Sequence, residues 1–295
     1  MEASTSLLPR TRRRYAYEVR RFLLALRAPV QLATPQDLVR WQARMVARRL
    51  SSSQIRLTRS AVKHLLAFLV DIEEDEHAAV LLRALERMKV PRDRTRKVKQ
   101  TPLDDGLVLR ILGAAGRRPA LGPRDLAVLH LMWATGARRG DAVSLRVQDV
   151  DLSHRAVHFL GKGAKERDSF ITPECAEDLA LYAEARKVYP RAEEEEAFFL
   201  TASGNPLQPG DIWYILDKAC KDAGITEHVR THQFRYTRIT QLLERGMRIS
   251  DVALFAGHSN PSTTLGYYNP EAAKLREGYD KAMRKEEGTR PVKST

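Results

Sequence analysis

At 295 residues the chain is long for a single domain, so its length predicts two, and a hydrophobic content of 43% is enough to pack a core in each. No apolar run approaches the roughly 20 residues of a membrane span, and the arginine-bearing N-terminus lacks the apolar stretch of an export signal. The net charge of +13 is concentrated at one end: residues 1–100 hold 22 Lys+Arg against 10 Asp+Glu, while the remainder holds 28 against 27. That asymmetry points to a polyanion partner, with a merely basic solvated surface as the alternative. No lipidation motif accompanies the charge, so a membrane partner is not expected. Cys175 and Cys220 have no metal-ligand spacing and read as free thiols in a reducing cytoplasm.

The first part reads as helices. Residues 9–27 place Tyr15, Val19, Phe22, Leu23 and Leu26 at helical spacing. Thr34-Pro35-Gln36-Asp37 is a start signal, with an N-cap threonine, a first-turn proline and an acid at the third position. The helix that follows should carry Leu38, Trp41, Met45 and Val46 inward. Ser51-Ser52-Ser53 should break it and cap the next, which lines up Ile55, Val62, Leu65, Leu66 and Leu69. A fourth helix is expected at 75–89. Residues 1–90 should form one helical bundle, with its Arg and Lys left outward as a candidate DNA-binding surface or a merely solvated one. Residues 91–102 lack an apolar period, are bounded by prolines and are dense in Arg92, Arg94, Arg96, Lys97 and Lys99. They read as a basic interdomain linker, whose cations either touch phosphates or are simply solvated.

The second part should begin with helices near 103–115 and 122–134. A short β region is expected at Val143–Asp149, Ala156–Leu160 and Ser169–Thr172, with Gly161-Lys162-Gly163-Ala164-Lys165 in the turn between the last two. Helices should return at 174–188, 209–223, 231–245, 250–256, 261–267 and 271–285. Gly246 fits a C-terminal cap and Ser250 an N-cap. The acidic run Glu193–Glu196 reads as a solvated loop. The fold class is therefore mainly α with a small antiparallel β-sheet.

Chemistry concentrates in this second part. His232 and Arg235 stand three apart on an expected helix and share a face. Arg138 and Asp141 are also three apart, so the carboxylate could orient the guanidinium. Two arginines around one phosphate can donate forked hydrogen bonds to its non-bridging oxygens and favour a five-coordinate phosphorus over the ground-state diester. No nucleotide-binding glycine loop and no acidic metal cluster is visible, so no cofactor or metal is expected and stabilisation must come from Arg, His and Lys. Alone, each of these elements has a bland reading as surface, turn or core. Their order and spacing together do not.

That order, Thr135-Gly136-Ala137-Arg138, then His232-Gln233-Phe234-Arg235, then Gly257-His258-Ser259 and Tyr267, resembles the catalytic signature of the tyrosine recombinases of the phage integrase family. The stretch from Arg138 to Tyr268 carries the resemblance, and the helical first part is compatible with that family's core-binding domain. The resemblance implies a C-shaped clamp on duplex DNA, a catalytic domain over 103–270 and a 271–295 tail that docks within its own domain or on a neighbouring protomer. It implies that Arg138, His232, Arg235 and His258 surround the scissile phosphate. Asp141 takes the place of the acid that usually follows the first arginine. Lys162 matches the hairpin lysine that protonates the 5′ leaving oxygen, with Lys165 the next donor to consider. Tyr267, nine residues after His258, matches the nucleophile. A free phenol titrates near ~10 and needs a base, for which His258 is the candidate.

There are departures from the family pattern. Phe234 stands for its usual leucine, Tyr236 for its trailing histidine, and Tyr268 adjoins the nucleophile. The implied function is site-specific recombination, in which two duplexes are cut and rejoined through a 3′-phosphotyrosyl link. The partners would be double-stranded DNA with paired half-sites, a second copy on each site, a tetramer at synapsis, and in some systems a second recombinase or accessory protein. Chromosome-dimer resolution of the Xer type and mobile-element integration both fit. With no arm-type domain ahead of the first helix, the Xer-like layout is the simpler expectation, and the place is the cytoplasmic nucleoid. Type IB topoisomerase-like relaxation and a non-catalytic architectural DNA binder are the alternatives.

Overall fold

The structure is a computed structural model that describes residues 9–26, 29–91, 101–160, 166–258, 260 and 262–267. It divides into two compact units, Met1–Val98 and Lys99–Thr295.

The first unit packs α1 (Pro9–Leu26), α2 (Pro35–Ala47), α3 (Ser52–Glu73) and α4 (Glu76–Arg87). The Asp37 backbone N–H donates to Thr34 Oγ1 at 3.3 Å and the Thr34 N–H to Asp37 Oδ2 at 2.8 Å, closing a capping box at the start of α2. Ser51 and Gln54 close a second box on α3 in the same way. The core is Phe22, Leu38, Trp41, Ile55, Val62, Leu66, Leu81 and Leu85, with Phe22 edge-on to Trp41. Val46 departs from expectation: Met45 takes the inward position, and one further residue turns Val46 about 100° away into solvent. Phe22 displaces Leu23 outward for the same reason. Glu18 is buried but paired, with Arg14 at 2.7 Å, Arg21 at 3.5 Å and the Thr58 hydroxyl at 3.1 Å.

The second unit gathers α5 (Asp105–Gly116), α6 (Gly122–Thr135), α8 (Pro173–Arg186), α9 (Pro209–Asp222) and α10 (Thr231–Glu244) around Ile111, Val128, Leu131, Leu179, Tyr182, Phe199, Ile215 and Phe234. Between α6 and α8 lie the short α7 (Arg139–Val143) and a three-stranded antiparallel sheet, β1 (Val150–Asp151), β2 (Ala156–Leu160) and β3 (Glu166–Phe170). Ala156 pairs with Phe170 and Leu160 with Glu166. Then come α11 (Ile249–Ala256) and α12 (Ser262–Leu265). No helix among the described residues is long and apolar enough to cross a membrane. Both cysteines are free and buried, and burial pushes each thiol's pKa up, away from reactivity.

Three expectations are corrected. The segment Val143–Asp149 is not a strand: its alternating Val-Ser-Leu-Arg-Val mimics one, but Arg138 starts a short helix there. Asp149 then folds back to accept from the Arg146 N–H at 2.9 Å, closing a 3-10 turn over Val147–Asp149. Only Val150 and Asp151 reach the sheet. The last strand is Glu166–Phe170 rather than Ser169–Thr172, because Thr172 is taken as the N-cap of α8, accepting from Cys175 N at 3.3 Å. Ser250 does not cap α11: Arg248 holds the extended N-cap position and Ser250 lies inside the first turn.

Gly246 does end α10, at φ +90°, with its N–H on Leu243 O. The acidic run is exposed at Glu194 and Glu196, but its backbone wraps a buried arginine. Arg186 donates to the carbonyls of Ala192, Glu195, Ala197 and Phe198.

Candidate active site

Arg138 sits in extended backbone at the N-terminus of α7, just after the left-handed Gly136 that ends α6. Gly136 is needed there. A Cβ at this φ of +62° is strained, and the α10 backbone at Arg235 passes 3.7 Å from where it would lie. Its carbonyl accepts from Arg235 Nη1 at 2.8 Å. Arg235 Nη2 donates to Ala256 O at 2.6 Å, the last residue of α11. One guanidinium, only 1% exposed, therefore joins the turn before Arg138 to the turn before His258. Burial first, then the Arg138 charge, lowers the Arg235 pKa to about 10, so it remains cationic at neutral pH.

His258 follows Gly257, the left-handed residue that closes α11 at φ +63°. Its Nδ1 lies 2.7 Å from the hydroxyl of Thr264, which is fully buried on α12. Its ring lies 5.7 Å from that of Tyr267, inclined by 24°. Tyr267 packs against the small cluster of Ile239, Leu243, Val252 and Ala256 and lies 5.3 Å from Tyr236. The phenol that replaces the trailing histidine thus adjoins the proposed nucleophile.

The charges that act on the two histidines are all positive. Burial, then Arg235, Arg138, Arg167 and His232, push the His258 pKa down to about 4. Burial, then Arg235 and Arg138, lower that of His232. Both imidazoles are neutral at pH 7. A His258 that donates from Nδ1 to Thr264 carries its lone pair on Nε2, the state a proton acceptor requires.

The structure brings Arg138, His232, Arg235, His258 and Tyr267 into one electrostatic neighbourhood. Lys162, Lys165, the linker cations Arg92, Arg94, Arg96, Lys97 and Lys99, Tyr268 and the 271–295 tail lie outside the described residues.

Asp141 is placed differently from expectation. Its contact with the Arg138 guanidinium is long, 3.9 Å, whereas Arg167 on β3 donates to the same Oδ2 at 2.7 Å. The Arg138 backbone N–H shares that oxygen at 3.3 Å. Sequence reading missed Arg167. It lies 26 residues from its partner, in a Lys-Glu-Arg-Asp stretch that resembles a solvated turn. The alternation around it, with Phe159 directly opposite, was the one available signal.

The model of the phage integrase family matches residues 103–274, and that of the phage integrase N-terminal SAM-like domain matches residues 2–73. The chain is 30% identical to the tyrosine recombinase XerC of Shewanella amazonensis over 94% of its own length and 90% of the relative's. It is 34% identical to the tyrosine recombinase XerD of Mycobacterium tuberculosis, an overlap that spans 62% of that relative's length. Among solved structures, an integrase of the Tn1549 transposon bound to a circular intermediate DNA superposes with a TM-score of 0.70 at 18% identity, over 94% of this chain and 95% of that one. XerH recombinase on palindromic difH DNA gives 0.68 at 18% identity, over 90% and 75%. These likenesses establish the fold.

Proposed function

The chain belongs to the phage integrase family, and on that premise we propose that it is a site-specific tyrosine recombinase acting on double-stranded DNA. The observation that carries this reading is the placement of the Tyr267 phenol beside a neutral His258, backed by a buried, cationic Arg235.

The Tyr267 oxygen attacks the scissile phosphorus and gives its proton to His258. Arg138 and Arg235 donate to the non-bridging oxygens, where negative charge grows toward the five-coordinate state. The P–O5′ bond breaks, and Lys162 supplies the proton that the departing 5′ oxygen requires. His232, neutral and on the same helix face as Arg235, completes the hydrogen bonding around the phosphate. The products are a 3′-phosphotyrosyl link and a 5′ hydroxyl. Because the link retains the energy of the diester, the 5′ hydroxyl of a second strand reseals it without ATP.

An incoming phosphodiester also changes the base. Its negative charge offsets the surrounding cations and raises the His258 pKa from about 4 toward the range useful for proton transfer. The base is thus tuned by its substrate.

In this reading the DNA carries paired half-sites, one copy of the chain binds each, and two such dimers form the synaptic tetramer. The basic first hundred residues supply most of the phosphate contacts. A DNA substrate places the protein in the cytoplasm, with the chromosome. That both of these relatives are tyrosine recombinases favours recombination over relaxation or binding alone.

The test is covalent capture. The full chain is incubated with a nicked duplex bearing a site selected from randomised DNA, and the denaturation-resistant adduct is digested and sequenced by mass spectrometry. Attachment at Tyr267 supports the reading. Attachment at Tyr268 moves the nucleophile by one residue, and adducts that survive Tyr267→Phe at neither position overturn it.

A further inference from the structure

We propose that Arg167 is a positioning residue of the active site, one that fixes Arg138, His258 and the base of the Lys162 hairpin relative to one another through Asp141 and the Gly257 turn. This rests on the function proposed above and adds to it a residue that the signature does not contain.

Arg167 stands where three elements meet. It belongs to β3, whose first residue, Glu166, pairs with Leu160 across the segment that carries Lys162. Its guanidinium lies over the Phe159 ring, with Cζ 4.6 Å from the centroid, so it rests on the residue opposite it. Nη2 donates to Asp141 Oδ2 at 2.7 Å, and Asp141 in turn accepts from the Arg138 backbone N–H at the start of α7. On its other flank is Gly257: a Cβ there would fall 2.9 Å from Arg167 Cδ and 3.0 Å from Nη1. The absent side chain at 257 is the space Arg167 occupies. A second tie runs beside the first, from Ser169 Oγ to Phe255 O at 3.4 Å.

The side chain is 8% exposed, and Asp141 is 13% exposed. A buried guanidinium is expensive to desolvate, and its Nε has no hydrogen-bond partner among the described residues. Such a group is poor as a general stabiliser and well suited as a locator, since a forked, planar cation stacked on a ring has one orientation. It also adds positive potential to His258. The groups that face that imidazole are Arg235 and His232 from α10, Arg138 ahead of α7, Arg167 from β3 and Tyr267 after α12, with Thr264 as its hydrogen-bond partner. Of these, Arg167 alone sits on the strand that leads out of the lysine hairpin.

Two measurements on the full chain test this. In the free protein, the histidine ring resonances of the 13C-labelled chain are titrated, with His258→Asn to assign its signal. Arg167→Gln should move the His258 midpoint upward, because a neighbouring cation has gone. An unchanged midpoint would overturn the proposal, and that result does not depend on whether the chain recombines DNA. On the selected nicked duplex, Arg167→Lys keeps the charge and loses the fork. Its single-turnover cleavage should fall about 100-fold with DNA affinity retained, and so should that of Asp141→Asn. The double variant should be no slower than the slower single one, since both act through one contact. Gly257→Ala, which crowds Arg167 without altering charge, should reproduce the loss if Arg167→Lys proves unstable. Wild-type cleavage rates in Arg167→Lys or Asp141→Asn would sink the idea. A wild-type chain that forms no Tyr267 adduct would instead refute the parent reading.

Discussion

His258 and Tyr267 face each other with their rings 5.7 Å apart and 24° from parallel, and Nδ1 of the imidazole lies 2.7 Å from the Thr264 hydroxyl. Just ahead of His258, α11 ends in the left-handed Gly257, and α12 lies between the histidine and the phenol nine residues further on.

The depressed pKa of His258 has a consequence for stability. Its folded value is near 4 and its unfolded value near 6.5, so between these the unfolded chain binds more protons and stability rises with pH. His232, shifted in the same direction, adds to the slope. Urea unfolding measured from pH 4 to 7 should show stability lost as pH falls through this window. His258→Asn should flatten the profile, and a profile equally steep in that variant would contradict the assignment.

Arg138 and Arg235 should separate in their effects. Both, changed to Lys, should slow cleavage by about 100-fold or more, because each loses the planar guanidinium that the proposed mechanism sets against developing charge. Only Arg235→Lys should also cost stability, on the order of 1–3 kcal/mol, because it leaves the Gly136 and Ala256 carbonyls poorly satisfied in the interior. Arg138 has a half-exposed side chain and makes no such bonds among the described residues. Melting curves of the two variants beside single-turnover rates check the contrast.

Lys162→Ala should be rescued by DNA carrying a 5′-bridging phosphorothiolate, whose sulfur leaves without a proton. Rescue within a fewfold of the wild-type rate would assign the proton to Lys162. No rescue, with binding intact, would assign a phosphate-clamping role and make Lys165→Ala the next variant to measure.

A fragment of residues 103–295 should bind DNA far more weakly than the full chain, with a shallower dependence of log affinity on log salt. The +12 balance of residues 1–100 against +1 for the rest is the reason. Equal salt slopes would place the phosphate contacts in the catalytic half.

Much of this was legible before any coordinates. The Thr34–Asp37 start signal closes as a capping box and the serine run does cap α3, through Ser51, since a cap is local chemistry within four residues. Arg138, His232, Arg235, His258 and Tyr267 could be picked out because each lies in a short motif. Contacts that join distant segments were hidden. The strand-like alternation at Val143–Asp149 gave way to side-chain caps at Asp141 and Asp149 that periodicity cannot register. Arg167 meets Asp141 across 26 residues, and Arg235 meets carbonyls 99 and 21 residues away. A backbone acceptor leaves no trace in residue identity, so these anchors could not be read from letters.

The two carbonyls held by Arg235 bear on how such a chain can diverge. Because one side chain clasps the turn before Arg138 and the turn before His258, the alignment of these pieces does not depend on the length of polypeptide between them. Surface connections such as 223–230 are free to lengthen, shorten or change composition over generations while the reaction geometry stays put. Inheritance would instead weigh on single residues with no catalytic duty, such as Gly136, whose left-handed backbone aims its carbonyl into the clasp, and Gly257, whose missing side chain leaves room for Arg167.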